Sequence, residues 1–172
     1  GQLVVARNVD NRGPPYSPDG GRHGVSAALE YAVNVLKVEH SAGMGHGGCG
    51  GVSASLSCEG NPASGEFGTP WVRLMETARE RVVAGGSNNP QFALELEGIE
   101  VSLGNLLTFP FVSQAVEEGR LSLHGAWFAI VHGELHSRNA KTGRFALVST
   151  TYPWAERGRS SPMPALPPPP PD

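Results

Sequence analysis

Apolar positions fall into a few periodic stretches separated by breakers. Leu3 to Ala6 is a short apolar run that reads as a buried strand, and residues 8–22, with Pro14, Pro15, Pro18 and Gly20-Gly21, read as a loop. Val25, Ala28, Leu29, Ala32, Val33 and Leu36 then recur at helical spacing and form one stripe. Residues 38–44 stand where a second strand belongs, although Ser41, Ala42 and Gly43 have poor strand character. After a glycine-rich loop, residues 52–56 suit a short helix and 57–68 a connection. Thr69-Pro70 resembles a capped helix start leading through Trp71, Leu74, Met75 and Ala78. Pro90 opens another helix carrying Phe92, Leu94, Leu96, Ile99, Leu103 and Leu106. Pro110 interrupts it, and residues 112–118 continue as a short helix ended by Gly119. Residues 121–131 and 144–148 read as two strands of a hairpin with a long loop. From Tyr152 the periodicity vanishes, and Pro167 to Pro171 is an unbroken proline run expected to be extended and solvated.

This order of elements predicts an α/β domain over residues 1–150 and a proline-rich disordered tail over 151–172. At 172 residues and 39% hydrophobic content, the chain suffices for one domain with a real core. A formal net charge of −3 without any basic run argues against nucleic acid or an anionic membrane as partner. No apolar stretch approaches the ~18 residues of a membrane span. Two cysteines, Cys49 and Cys58, are too few for a disulfide framework and point to a reducing compartment, the cytoplasm.

The candidate chemistry lies in residues 45–51, Gly-His-Gly-Gly-Cys-Gly-Gly. Imidazole nitrogen and thiolate sulfur are ligands zinc prefers, and glycines let a short loop turn His46 and Cys49 inward without steric penalty. Two ligands are not yet a site, since zinc takes three protein ligands plus water or four protein ligands. Gly43, Gly45 and Gly48 also match the G-x-G-x-x-G spacing of a dinucleotide fingerprint, but the region about twenty residues on, around Glu66, is a Gly/Pro/Ser connection that lacks the required strand-end acid. Cys58 reads as a spectator thiol, and His23, His40, His124, His132 and His136 as scattered surface or strand residues. Arg7-Asn8 follow the first strand, where open α/β sheets often place active-site groups.

Taken together, these segments resemble the β-class carbonic anhydrases. The resemblance runs through Val4-Val5-Ala6-Arg7-Asn8-Val9, Pro14-Pro15-Tyr16, the helix from Ser26 to Val33, and the loop from Met44 to Val52. It continues through Asn105-Leu106-Leu107-Thr108-Phe109-Pro110-Phe111-Val112 and Leu123-His124-Gly125-Ala126-Trp127-Phe128. It implies a mostly parallel β-sheet flanked by helices, with the C-terminal strand hairpin, and assembly as a homodimer or higher even oligomer. It also implies reversible hydration of carbon dioxide to bicarbonate at a zinc ion whose ligands include His46 and Cys49. Gly50 and Gly51, at a helix start, are candidate substrate-binding amides.

Members of the family carry a further zinc-binding cysteine in a Cys-x-Asp-x-Arg segment upstream of the Arg-Asn pair, and its Asp-Arg pair takes part in catalysis. No such segment stands ahead of Arg7-Asn8 in these residues, so the expectation is a domain lacking its N-terminal arm and first zinc-ligand segment. A zinc ion held by three protein ligands lowers the pKa of bound water to about 7, whereas loss of one thiolate weakens the metal steeply. Ser41-Ala42-Gly43 replace bulky β-branched residues of relatives, a change that costs ~1 to 5 kcal/mol per buried site unless the surroundings collapse. Asp10 stands where relatives tend to carry a small residue. The sequence thus supports a carbonic anhydrase whose isolated chain is inactive, with a non-catalytic remnant or interaction module on the same scaffold as the alternative.

Overall fold

The computed structural model describes residues 3–57 and 65–148. Cys58 and the proline-rich tail lie outside the described residues. The chain builds α1 (Gly24–Glu30), which runs into a π-helical stretch (Tyr31–Val35), then β1 (His40–His46), α2 (Gly50–Leu56), α3 (Gly65–Arg73) and α4 (Glu76–Ala84). It continues through α5 (Pro90–Leu107), α6 (Pro110–Glu117), β2 (Ser122–Ala129), β3 (Glu134–Arg138) and β4 (Phe145–Leu147). None of the described helices is long and apolar enough to cross a membrane.

The four strands lie in the order β1-β2-β3-β4. β1 pairs with β2 in parallel, with Gly43 opposite Gly125 and His46 opposite Phe128. The β2–β3 and β3–β4 pairs are antiparallel. The α/β architecture is the expected one, while the described sheet is mixed rather than mostly parallel. One reason is the fate of Leu3 to Ala6, which forms no strand and leaves Leu3 86%, Val4 47% and Val5 73% exposed. An apolar run becomes a buried strand only where a sheet edge receives it. Here a groove of about 770 Å³ separates Leu3, Val4 and Ala6 from residues 40–44 of β1.

The hairpin at the end of the domain also gains a strand. Residues 134–138 are polar enough to read as loop, yet they form β3 between β2 and β4. Their polarity has partners: Arg138 pairs through Nε with Glu100 of α5, and the His136 ring packs on Trp127 with centroids 5.3 Å apart.

Two helix ends show the expected local chemistry, and one helix start departs from it. Pro90 sits at the first turn of α5, and the Asn89 side chain accepts from Phe92 N–H at 3.1 Å. Lys37, at φ 54°, closes the π-helical stretch in the left-handed conformation that ends helices. The exception is α3, which begins at Gly65 and keeps Pro70 inside. Thr69 is therefore not an N-cap; its hydroxyl donates back to Gly65 C=O at 2.8 Å.

The core forms two clusters, one beyond the C-terminal end of β1 and one near its start. Cys49, Val52, Met75, Ala78, Val82 and Leu94 form one cluster joining α2, α4 and α5. Val33, Phe109, Val112, Ala115 and Leu121 form another beneath the π-helical stretch and α6. Each fully buried large apolar side chain contributes roughly 1.5–3 kcal/mol. One face of the sheet is covered by α5, whose Ile99 and Leu103 reach positions 43, 45 and 125; glycine at all three lets the helix approach. The glycines of the supposed nucleotide fingerprint are thus largely packing positions, since Gly43 and Gly45 lie within β1.

Candidate functional site

His46 is the last residue of β1, and Cys49 is the residue from which α2 departs. The turn between them is tight. Gly47 N–H donates to Phe128 C=O at 2.9 Å, a Cβ at Gly47 would lie 2.9 Å from the Trp127 ring, and Gly48 takes φ 69°. His46 Nδ1 lies 3.1 Å from Gly47 C=O, and because a carbonyl oxygen only accepts, Nδ1 is the donor of that contact. Cys49 is 2% exposed, and Ser53 N–H donates to its carbonyl at 3.0 Å.

Residues 8–13 wrap over this turn. The Asn11 side chain treats the end of β1 as a strand neighbour would: Nδ2 donates to His46 C=O at 2.8 Å and Oδ1 accepts from His46 N–H at 3.1 Å. Asn8 Nδ2 donates to Arg12 C=O at 2.6 Å, while Ser102 and Asn105 of α5 hold both backbone groups of Gly13. Asn8 thus secures the loop, and Arg7 is exposed.

Between Asn8 and Gly13 stands an aspartate–arginine couple. Asp10 Oδ1 accepts from Cys49 Sγ at 2.9 Å and from Asn11 N–H at 2.6 Å. Asp10 Oδ2 pairs with Arg12 Nη2, and the two side chains are 1% and 0% exposed. Arg12 also donates to Trp71 C=O at 2.8 Å, Val72 C=O at 2.9 Å and Ser55 Oγ at 2.9 Å. It thereby satisfies carbonyls at the end of α3, where a cation is favoured. The negative group lying against Gly51 is Asp10 itself, because a Cβ there would come within 2.2 Å of the Asp10 Cγ and Oδ2. Burial pushes the Cys49 thiol above its ordinary pKa, and the hydrogen bond to Asp10 adds to that rise.

Behind the turn lies Glu95 of α5, 2% exposed. Its Oε1 accepts from Cys49 N–H at 3.1 Å and Gln91 Nε2 at 2.8 Å, and its Oε2 accepts from Trp127 Nε1 at 3.2 Å. Gln91 Nε2 also donates to Cys49 C=O at 3.0 Å. Glu95 and Arg12 escaped the sequence reading. A carboxylate four residues before Ile99 on an apolar helix stripe is the signal that marks Glu95, and the Asp-x-Arg spacing is the one that marks Arg12.

The remaining histidines are elsewhere. His40 and His124 meet across β1 and β2, with Nδ1 and Nε2 3.1 Å apart, and His23 pairs with Asp19 at 2.5 Å. Among the described residues, no three His, Cys, Asp or Glu side chains are gathered as a metal site. Zinc takes thiolate, whereas Cys49 presents a hydrogen-bonded thiol to Asp10. The described residues thus bring His46 and Cys49 to one turn but do not fit a zinc ion in this arrangement.

Comparison with known proteins agrees with this strand–turn–helix framework. A family model described as carbonic anhydrase matches residues 1–135. The chain is 36% identical over 140 residues to beta carbonic anhydrase 3 of Arabidopsis thaliana, covering 77% of this chain and 54% of that protein. It therefore spans about half the length of that curated relative. Among solved structures, the β-carbonic anhydrase CcaA superposes with a TM-score of 0.70 at 26% identity, over 87% of this chain and 68% of that one. A pair of tetrameric β-carbonic anhydrases from Sordaria macrospora is represented by a match of TM-score 0.64 at 25% identity, over 83% and 69%. By its sequence and by its fold alike, the chain belongs to the β-class carbonic anhydrases.

Proposed function

We propose that this chain carries part of a zinc centre for the reversible hydration of carbon dioxide, and that it does not catalyse that reaction on its own. In the hydration direction, a water oxygen forms a bond to the carbon of carbon dioxide, giving bicarbonate and releasing one proton. The observation that carries the reading is the pairing of His46 and Cys49 on one strand–turn–helix, with no group of three His, Cys, Asp or Glu side chains placed to hold a metal among the described residues. Zinc analysis of the purified chain, followed by stopped-flow hydration of carbon dioxide, tests it. The expected result is substoichiometric zinc and a rate equal to buffer alone; stoichiometric zinc with rapid turnover would overturn it.

A second reading, an interaction module, is favoured by surfaces away from the turn. The outer edge of β1 has no strand partner among the described residues, and it borders the 770 Å³ groove. Met44, on the sheet face opposite Ile99, is 67% exposed, and Leu135 is 38% exposed. Such an edge and face suit pairing with a second polypeptide. The tetrameric relatives from Sordaria macrospora support self-association as a dimer or higher even oligomer. Light scattering after size exclusion, with and without a longer family member, decides this reading. An even oligomer or a mixed complex is expected, and a zinc-loaded monomer counts against it.

A further inference from the structure

We infer that Asp10 and Arg12 form a built-in plug, in which the Asp10 carboxylate stands against the Cys49 sulfur and excludes a metal ion from it. The inference rests on the reading that His46 and Cys49 are the metal-type donors of this turn. Its grounds are steric and geometric. The Asp10 Oδ1 is 2.9 Å from the sulfur, and the side chains of Asp10 and Arg12 are essentially sealed from solvent. The carboxylate occupies room that exists only because residue 51 has no Cβ, with the position of such an atom 2.2 Å from Asp10 Cγ. Gly51 therefore makes the pocket, and Asp10 fills it.

The plug is held from several directions. Arg12 ties the Oδ2 side of the carboxylate to the C-terminal carbonyls of α3 and to Ser55 of α2, while Asn11 N–H holds Oδ1. Asp10 itself adopts φ 73°, a left-handed conformation that non-glycine residues hold only where the surroundings impose it. Its neighbours on both sides are anchored, Val9 through its carbonyl to Trp71 Nε1 at 2.9 Å and Asn11 to His46. The partners of Asp10 direct its carboxylate to the sulfur and to Arg12.

Cobalt(II) binding to the full chain tests the plug, with Cys58→Ser introduced so that Cys49 is the only thiol. The readouts are the thiolate-to-cobalt charge-transfer band and the apparent dissociation constant, with circular dichroism checking the fold. Asp10→Ala combined with Arg12→Met removes both charges together, which avoids stranding one of them. Gly51→Ala displaces the carboxylate without altering any charge. Both variants are expected to bind cobalt at least about tenfold more tightly than the parent, the scale on which groups around a metal site shift affinity. Equal affinity in folded variants overturns the plug, and weaker binding in the double variant overturns it by making Asp10 a ligand. Hydration activity is read separately. Rapid turnover by the parent overturns the proposed inactivity, while the plug stands or falls on the affinity difference alone.

Discussion

Cys49 donates its thiol proton to Asp10 across 39 positions of sequence, and the 2.9 Å contact makes the 8–13 loop and the start of α2 one structural unit. The unit depends on Arg12, whose charge compensates Asp10 in a site with no water access. Breaking a buried ion pair from one side leaves the other charge stranded, which costs about 3–5 kcal/mol. Arg12→Ala should therefore lower the unfolding free energy by about that amount in urea melts, and the α3 carbonyls add to the loss. Asp10→Ala with Arg12→Met should be much closer to the parent. Equal destabilisation by the single and double changes would show that the pair is not the reason.

The raised pKa of Cys49 has a definite consequence for stability against pH. Its folded value lies above its unfolded one, chiefly through burial and then through the hydrogen bond to Asp10. The folded state accordingly holds more protons than the unfolded state as pH rises past the ordinary thiol value of about 8.5. The stabilisation is complete below that point and is lost as pH climbs through the folded value. Unfolding free energies should fall over this alkaline range, and Cys49→Ala should flatten the fall. Alkylation of Cys49 should lag behind that of a free thiol across the same window; a matching alkylation rate at each pH would contradict it.

Much of this arrangement was legible in the residues themselves. The glycine-framed His46 and Cys49 fall at a strand end and a helix start, where the sequence pattern places them, and the long α5 is marked by Pro90 and its apolar stripe. The strand at β3 was hidden because its charged and polar residues find partners only in three dimensions, Arg138 on Glu100 and His136 on Trp127. Leu3 to Ala6 misled in the opposite sense. Its apolar run has strand character, but pairing needs backbone contact, and the groove of about 770 Å³ lies between this run and the free edge of β1. Arg12 and Glu95 carry only faint signals for a third reason: a buried charge is recognised by what surrounds it, and apart from Asp10 and Gln91 the partners cited for them lie 32 to 60 positions away.

Glu95 is required as a carboxylate rather than merely as a polar group. Both of its oxygens accept, Oε1 from Cys49 N–H and Gln91 Nε2 and Oε2 from Trp127 Nε1. Glu95→Gln puts an NH2 group against at least one of these donors, and a buried donor left unsatisfied costs about 1–3 kcal/mol. Glu95→Ala should cost more, since it strands donors on three elements of the turn and opens a cavity. Urea denaturation provides the comparison. A Glu95→Gln protein as stable as the parent would mean that water or a rearranged amide satisfies these groups equally well.

The small residues of β1 make a contrasting pair of substitutions decisive. Ser41-Ala42-Gly43 look like a weakness by comparison with β-branched residues, yet β1 forms over seven residues in register with β2. At Gly43 an added Cβ would meet Leu103 Cδ2 at 3.6 Å, an ordinary contact, whereas at Gly45 it would meet Ile99 Cδ1 and Cγ1 at 3.1 Å and Asn11 Nδ2 at 3.2 Å. Gly43→Ala should therefore raise stability by about 0.5–1 kcal/mol, through lower chain entropy in the unfolded state and added packing. Gly45→Ala should lower it by about 1–3 kcal/mol, because Ile99 is buried and Asn11 is committed to His46. Thermal melts of the two variants measure the difference directly. If both substitutions shift the melt in the same direction, the spacing between α5 and β1 is not what glycine at residue 45 protects.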